Sequence, residues 1–146
     1  MRWAVIDIGS SSTKLLIGER HGEDIKIIDS LKNAIPLGRH AFLKSRIPQT
    51  IINQTASVLQ KYKEALKEYD VTNVTVIATT AVREARNQDI FLDTVLRKTG
   101  FKIDVLNVGD VVYYIDYFLS HKLKKTYPVA EKDLLIAELG AGSLDI

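Results

Sequence analysis

The sequence contains no cysteine, which excludes disulfides, thiolate metal sites and cysteine nucleophiles. Its net charge of +2 is too small to indicate a nucleic-acid partner. No apolar run approaches the roughly 20 residues of a membrane span, and no secretion signal begins the chain. The remaining composition, 46% hydrophobic and 26% charged over 146 residues, is that of an ordinary globular domain. We therefore expect a cytoplasmic protein without a membrane or nucleic-acid partner.

Hydrophobic patterning predicts a hairpin meander followed by alternating helices and strands. Strands are predicted at residues 4–8, 13–18, 25–31, 74–78, 103–108 and 134–137. Helices are predicted from Pro48 to about residue 70, from Asn87, as a capping residue, to Gly100, and over residues 110–124. Residues 37–46 have no clear period and are predicted to form a loop. This order indicates a mixed sheet in an α/β layered fold.

Two segments of the chain echo each other, at residues 4–12 and 135–143. Each is an apolar strand that leads into an acid, an apolar residue, a glycine and further small residues. Small residues let backbone N–H groups approach phosphate oxygens, hydroxyls add donors, and an acid at the strand end can hold Mg²⁺. The candidate phosphate-binding residues are Gly9, Ser10, Ser11, Ser12, Thr13, Gly140, Ala141, Gly142 and Ser143. The alternative is two plain hairpin turns whose acids, Asp7 and Glu138, face solvent.

Arg83 follows the strand predicted at residues 74–78, where segments leaving an α/β sheet commonly line a ligand crevice. There its guanidinium can bind a phosphate through two parallel hydrogen bonds. The alternative is an exposed ion pair with Glu84 or Asp89.

Three segments together resemble the exopolyphosphatase and guanosine-pentaphosphate phosphohydrolase family. Residues 4–12 look like its first phosphate motif, and residues 138–145 are similar to its second, Asp-Ile-Gly-Gly-Gly-Ser-Thr-Glu. Residues 78–87 are close to its segment Ala-Thr-x-Ala-x-Arg-x-Ala-x-Asn. The outer two motifs indicate only the wider actin, Hsp70 and sugar-kinase superfamily, whereas the middle segment is specific to the family.

The resemblance implies an RNase H-like lobe of the actin-like ATPase type, with a mixed five-stranded sheet, at residues 1–125. It implies that residues 126–146 open a second lobe with a hairpin, so we expect the chain to be a truncated piece. It also implies release of terminal phosphate from polyphosphate or guanosine pentaphosphate, with the tetraphosphate as a related ligand. The implied cofactor is Mg²⁺, held by Asp7, Glu138 and Asp145. We further expect the last strand to pair with a second copy, as a homodimer.

Several positions depart from the family pattern. Ser11 replaces an asparagine, and the departures in the second motif include Glu138, Ala141, Leu144 and Asp145. The glutamate that the resemblance assigns to activation of the attacking water falls at Val111, and Asp110 is the nearest acid. We therefore take Asp110 and Arg83 as the candidate catalytic residues. A helix cap is the competing role for Asp110.

These departures leave three functions open. The first is a Mg²⁺-dependent phosphoanhydride hydrolase, in which the loops and Arg83 stabilise charge on the transferred phosphoryl group. The second is a sensor that binds a nucleotide or a phosphate chain without turnover. The third is an ATP-dependent phosphotransferase of the wider superfamily, against which Arg83 in its segment argues.

Overall fold

The computed structural model describes residues 1–22, 24–123, 137–141 and 144–145 of the chain. These residues form seven strands and five helices. The strands are β1 (Arg2–Ile8), β2 (Ser12–His21), β3 (Asp24–Ala34), β4 (Asn73–Ala78), β5 (Asp104–Val105), β6 (Glu138–Leu139) and β7 (Leu144–Asp145). The helices are α1 (Leu37–Lys44), α2 (Gln49–Glu68), α3 (Thr80–Arg83), α4 (Gln88–Thr99) and α5 (Val108–Leu123).

Five strands form one mixed sheet in the order β3-β2-β1-β4-β5, which confirms the predicted α/β fold. The first three strands are an antiparallel meander, whereas β1, β4 and β5 run parallel to one another. In the parallel part Ile8 pairs with Ala78, and Ala78 pairs with Val105. The carboxyl ends of three strands therefore meet at one edge, and the segments that leave them surround one crevice.

One face of the sheet forms the core. Side chains alternate along β1, so Ala4 and Ile6 are buried while Val5 between them is 40% exposed. Leu59 and Tyr62 of α2 belong to the same core cluster. Each large side chain buried in this way stabilises the fold by about 1.5–3 kcal/mol relative to leaving it exposed.

The ends of α2 and α4 agree with the local sequence signals. Pro48 was expected in the first turn of α2 and stands one position earlier, as the N-cap. The C-cap of the helix is Tyr69. Asp89 lies in the first turn of α4, where a negative charge interacts favourably with the helix dipole. Gly100 ends this helix with a φ of 77°, a left-handed conformation that glycine adopts without strain.

The predicted capping role of the Asn87 side chain is wrong. Asn87 does stand at the N-cap of α4, but its side chain makes no capping hydrogen bond. Its Oδ1 accepts a hydrogen bond from the N–H of Ile47 at 2.9 Å, and its Nδ2 donates to the carbonyl of Ile47 at 2.9 Å. Because a buried amide needs partners for both its donor and its acceptor, the backbone of Ile47 satisfies it better than a helix end would.

The predicted loop over residues 37–46 is also wrong, since α1 covers most of that segment. The N–H of Gly38 donates to the carbonyl of Ser10 at 2.7 Å. A Cβ on Gly38 would stand only 2.9 Å from the Cβ of Ser10. Packing against the β1–β2 loop therefore stabilises this helix, and such tertiary contacts override the low helix propensity of glycine.

The segments at the carboxyl edge of the sheet differ from the expectation as well. β5 has two residues instead of the predicted six, and α5 begins two residues earlier than predicted. The carbonyl of Asn107 accepts the first backbone hydrogen bond of α5, from Val111 at 3.2 Å. The strand must therefore end before Asn107. The one-turn helix α3 was not expected.

The predicted strand at residues 134–137 lies outside the described residues except for Ala137, which is not in a strand. β6 and β7 form a separate antiparallel pair, with Glu138 opposite Asp145. The second echoing segment is therefore a hairpin, as expected. Among the helices of the described residues, none combines the length and hydropathy that crossing a membrane requires.

Candidate functional site

The first glycine–serine loop makes a tight turn between β1 and β2. The N–H of Gly9 donates to the carbonyl of Ser12 at 3.0 Å. A Cβ at position 9 would stand 3.2 Å from that same oxygen, so the turn favours glycine.

Two backbone hydrogen bonds hold this loop from the side of α1. The carbonyl of Ser10 accepts from Gly38 at 2.7 Å, and the carbonyl of Ser11 accepts from Ile35 at 3.0 Å. In a trans peptide the N–H and C=O point in opposite directions. The N–H of Ser11, which shares a peptide plane with the carbonyl of Ser10, therefore points away from α1.

A cleft of about 190 Å³ lies beside this loop. Four segments surround it, namely the β1–β2 loop, the turn after β4, the start of α5 and the β6–β7 hairpin. The lining residues are Asp7, Gly9, Ser10, Ser11, Ser12, Lys14, Thr79, Thr80, Arg83, Val108, Val111, Gly140 and Ala141. The two echoing loops thus face the same space, and eight of the sequence-predicted site residues meet there.

The charged residues on the β1–β2 side of the cleft are Asp7 and Lys14, which are paired directly across the two strands. Burial raises the pKa of the Asp7 carboxyl, and the positive charge of Lys14 lowers it in part. The carboxylate is therefore a desolvated anion that a further positive charge would stabilise.

The donor set at Asp7 fits Mg²⁺. This ion is usually held by one or two carboxylates, with substrate phosphates and water completing its octahedron. Asp7 supplies one carboxylate at the cleft, and its desolvation favours a cation beside it. For Glu138 and Asp145 the structure describes the backbone pairing only, so their predicted role as metal ligands stays a prediction. Within the described residues no three acidic or histidine side chains cluster as a metal site would require.

Arg83 lines the cleft at the end of α3 and is held by three groups. Its Nη1 donates to the carbonyl of Leu106 at 2.9 Å, and its Nη2 to Thr80 Oγ1 at 3.4 Å. Its Nε lies 3.3 Å from Glu84 Oε1, so the ion pair considered as an alternative is present. The side chain is nevertheless only 20% exposed. The phosphate-binding role of Arg83 stays a prediction.

Asp110 participates in a reciprocal helix cap. Its Oδ2 accepts from the N–H of Asn107 at 3.0 Å, and its own N–H donates to Asn107 Oδ1 at 2.9 Å. This is the arrangement of a capping box, with asparagine and aspartate in the two positions. Val111, not Asp110, is among the residues that line the cleft. The catalytic role of Asp110 stays a prediction.

Three other predicted phosphate-binding residues are not brought to the cleft by the described structure. Thr13 is fully buried, because alternation along β2 directs it to the core face that it shares with Leu15. Its Oγ1 has no hydrogen-bond partner in the described part of the chain. Gly142 and Ser143 lie outside the described residues.

Sequence reasoning missed several residues of the cleft. Lys14 has a signal in the sequence, because a hairpin that closes around residues 9–12 places position 14 opposite Asp7. Thr79 and Thr80 lie in the segment that carries Arg83, but nothing in their pattern separates them from its other small residues. Val108 and Val111 gave no chemical signal, since only the fold places them at the cleft.

Comparison with known proteins adds four findings. Residues 16–146 match the profile of the Ppx/GppA phosphatase family. A solved Ppx/GppA family protein from Aquifex aeolicus is 35% identical, with a TM-score of 0.69 over 73% of this chain and 35% of that chain. A solved exopolyphosphatase from Cytophaga hutchinsonii is 25% identical, with a TM-score of 0.70 over 75% of this chain and 35% of that chain. A guanosine-5'-triphosphate,3'-diphosphate pyrophosphatase from Pseudoalteromonas translucida is 26% identical over 105 residues, which are 72% of this chain and 21% of that protein.

The chain spans about a fifth of the length of the curated relatives that it matches and about a third of the length of the similar solved structures. Its mixed five-stranded sheet with packed helices matches their N-terminal lobe, which has the actin-like ATPase fold. The fold predicted from the three motifs is therefore confirmed.

Proposed function

This chain belongs to the Ppx/GppA phosphatase family, and we propose that it serves to release terminal phosphate from inorganic polyphosphate or guanosine pentaphosphate. The observation that carries this proposal is the meeting of both glycine-containing loops with Arg83 around one cleft. Two similar proteins, an exopolyphosphatase and a guanosine-5'-triphosphate,3'-diphosphate pyrophosphatase, support the proposal of these two substrates.

The cleft has the groups that binding of a phosphate chain requires. The β1–β2 loop presents small residues, a backbone N–H and the hydroxyls of Ser10, Ser11 and Ser12. Lys14 of β2 and Arg83 of α3 bring two positive charges that stabilise negative charge on the phosphoryl oxygens. Gly140 and Ala141 approach from the other hairpin, where small side chains leave room for the chain.

Asp7 is the residue that would hold Mg²⁺, and Glu138 and Asp145 are proposed to assist it. When bound, the ion neutralises charge on the phosphate oxygens and orients the group to be transferred. Lys14 stabilises the ionised form of Asp7 by its charge across the strand pair, and so keeps the carboxylate ready to bind a cation.

A specific observation favours a second function, binding of a phosphate compound without turnover. A general base must lie within about 2.6–3.2 Å of its target, or act through one water. The α5 side of the cleft presents Val108 and Val111, which have no proton-accepting group. The acid in this turn, Asp110, accepts a hydrogen bond from the helix end. If the base comes from the described residues on the α5 side of the cleft, it is Asp110 acting from its capping position.

Phosphate release by four forms of the full-length protein separates hydrolysis from binding alone. The forms are wild type, Asp110→Asn, Asn107→Ala and Val111→Glu, each assayed with Mg²⁺ on tripolyphosphate, guanosine pentaphosphate and ATP. If Asp110 is the base, Asp110→Asn lowers kcat by about 10²–10⁴-fold. Asn107→Ala is the matched control, because it disrupts the cap but leaves the acid in place.

The outcomes point to different functions. Release by wild type that Asp110→Asn abolishes, while Asn107→Ala retains much of it, supports the hydrolase. Tight binding without release by wild type, together with release by Val111→Glu, supports the sensor. Neither binding nor release of any phosphate compound by the folded protein contradicts the proposed function.

Arg83→Ala tests the phosphate contact directly. Loss of a charge-assisted contact costs about 1.5–3 kcal/mol, which is roughly a tenfold to hundredfold loss of affinity for tripolyphosphate by isothermal titration. Arg83→Lys restores the charge but not the fork of donors, so we expect intermediate affinity. Arg97→Ala is the control, since Arg97 forms an exposed ion pair with Asp93. Equal affinity of wild type and Arg83→Ala would contradict the contact.

The stability of Arg83→Ala needs a separate measurement. Because the guanidinium also donates to the carbonyl of Leu106, its removal is expected to cost about 1–2 kcal/mol of unfolding free energy. The titrations are therefore carried out at a temperature well below the melting temperature of the variant. Fractions of folded protein measured by circular dichroism at the titration temperature provide the check.

We propose further that residues 126–146 open a second lobe, with residues 1–125 as the first. The β6–β7 hairpin supports this division, because among the described strands β6 and β7 pair with each other and not with the five-stranded sheet. Gly140 and Ala141 nevertheless face the cleft. A proteolytic cut near residues 125 and 126, with the first part protected, would agree with the boundary.

A further inference from the structure

The segment after β4 contains two residues with separate roles, Arg83 and Asn87, and Asn87 does not line the cleft. Arg83 lines the cleft, whereas Asn87 is not among the lining residues. Asn87 is only 7% exposed, and its amide forms both of its described hydrogen bonds with the backbone of Ile47. A side chain that satisfies a distant backbone in this way fixes the relative position of two segments.

The segment that Asn87 holds is the end of α1. The N–H of Arg86 donates to the carbonyl of Ser45 at 2.9 Å. Ser45 ends α1 in a left-handed conformation, with a φ of 51°. Three hydrogen bonds, counted over the described residues, therefore join positions 86–87 to positions 45–47.

The other end of α1 holds the β1–β2 loop. Gly38, in the first turn of α1, donates to the carbonyl of Ser10, and Ile35, just before the helix, donates to the carbonyl of Ser11. The fit is tight, because a Cβ on Gly38 would stand 2.9 Å from the Cβ of Ser10 and 3.2 Å from its carbonyl oxygen. A helix of eight residues is about 12 Å long, so a displacement at its end reaches its start without attenuation by a flexible linker.

We propose that Asn87 is a positioning residue for the phosphate loop, acting through α1. Asn87 fixes Ile47, the Ser45–Ile47 turn fixes the end of α1, and Gly38 at the start of α1 fixes the carbonyl of Ser10. The N–H groups of Ser11 and Ser12 share peptide planes with the two carbonyls that bond on the α1 side, so those bonds orient them. Asn87 thereby sets the direction of the donors without contacting the ligand.

In this arrangement the segment after β4 acts on both sides of the cleft. Arg83 supplies a cation directly, and Asn87, four residues later, orients the opposing loop. The one-turn helix α3, whose last residue is Arg83, packs against α1. The inference rests on the proposed function in one respect, namely that the β1–β2 loop binds phosphate.

The first test measures the mechanical link, which does not depend on any ligand. Amide hydrogen exchange is followed by mass spectrometry or NMR in full-length wild type, Asn87→Ala and Thr99→Ala. Thr99 is a matched control, because it is 2% exposed and bonds two backbone groups at the far end of α4. We expect Asn87→Ala to raise exchange at Gly38 and Ile35 by about tenfold or more, while Thr99→Ala leaves these amides near the wild-type rate. Equal rates in wild type and Asn87→Ala would overturn the proposal.

The second test measures affinity for tripolyphosphate with Mg²⁺, at a temperature where every form is folded. We expect Asn87→Ala to weaken binding by roughly tenfold, the size of one lost hydrogen bond to the ligand, and Thr99→Ala to bind as wild type does. Gly38→Ala pushes α1 from the loop directly, and we expect a loss of similar size.

The double variant decides whether Asn87 acts through α1. Residues that act along one chain of contacts show strong non-additivity, so we expect Asn87→Ala with Gly38→Ala to lose little more affinity than the weaker-binding single variant. Additive losses would overturn the route through α1. If wild type binds no phosphate while the exchange result holds, the proposed function fails and the positioning of the loop by Asn87 stands.

Discussion

The two walls of the cleft are held in different ways. The β1–β2 wall stands on the core, since Ile6, Ile8 and Leu15 of its strands are fully buried. The α5 wall follows a strand of two residues, and its Val108 and Val112 are 49% and 44% exposed.

On the α5 side of the cleft, polar contacts hold the wall in place, whereas the buried core holds the β1–β2 wall. The start of α5 is held by the reciprocal cap between Asn107 and Asp110 and by the bond from Arg83 to the carbonyl of Leu106. The difference teaches that the β1–β2 loop is a fixed part of the fold, whereas the α5 wall depends on a few replaceable bonds. The walls should therefore respond differently to substitution.

The largest expected difference lies between Ile6→Ala and Val108→Ala. Truncation of a fully buried isoleucine removes burial and leaves a cavity, which costs about 2–5 kcal/mol of unfolding free energy. Val108 is half exposed, so its truncation should change stability by no more than about 0.5 kcal/mol. Urea denaturation of both variants measures the contrast. Comparable losses in the two variants would show that α5 is packed as firmly as the sheet.

Much of this arrangement could be predicted from the sequence, and the part that could not has a physical cause. The strands and the helices α2 and α4 have regular apolar periods and clear ends, such as Gly100. Both glycine-containing loops have a local composition that indicates a hairpin. α1 has neither feature, because its position is set by Gly38 against Ser10, a contact between residues 28 positions apart.

The residues of the site also divide into those that the sequence predicted and those that it did not. The sequence predicted a place at the cleft for Asp7, Arg83 and the loop glycines, because these residue types commonly bind phosphate or metal ions. Asn87 was predicted to cap its own helix, since local sequence shows only the nearest partner for an amide. Its true partner, Ile47, is 40 residues away. Local sequence therefore predicts the residue but not the tertiary contact.

A smaller effect is expected at the cap of α5. Asn107→Ala removes the side chain that accepts from the N–H of Asp110, and loss of such a cap typically costs about 0.5–2 kcal/mol. Because the core does not hold this wall, we expect the loss to appear as faster hydrogen exchange in the first turn of α5, with little change in the sheet. Asp116→Ala, at an exposed position in the middle of α5, is the control. Faster exchange throughout β1 and β2 would contradict the separation of the walls.

The smallest expected effect, and one of opposite sign, is at Asp7. Burial raises the pKa of its carboxyl above the ordinary value of 3.8, and Lys14 offsets this only in part. The folded protein therefore binds the proton more tightly than the unfolded chain does, so stability is lost as the pH rises from about that ordinary value through the raised pKa.

At neutral pH the ionised Asp7 destabilises the fold, and Asp7→Asn, which keeps the shape without the charge, should raise the melting temperature in the absence of Mg²⁺ and phosphate. The gain should disappear at pH 3, where the wild-type carboxyl is protonated in both states. Asp93→Asn, which removes an exposed acid paired with Arg97, should show no such gain. A variant Asp7→Asn that melts below wild type at pH 7 would mean that the pair with Lys14 outweighs the burial of the carboxylate, and that the first wall of the cleft is stabilised by its charges and not only by its core.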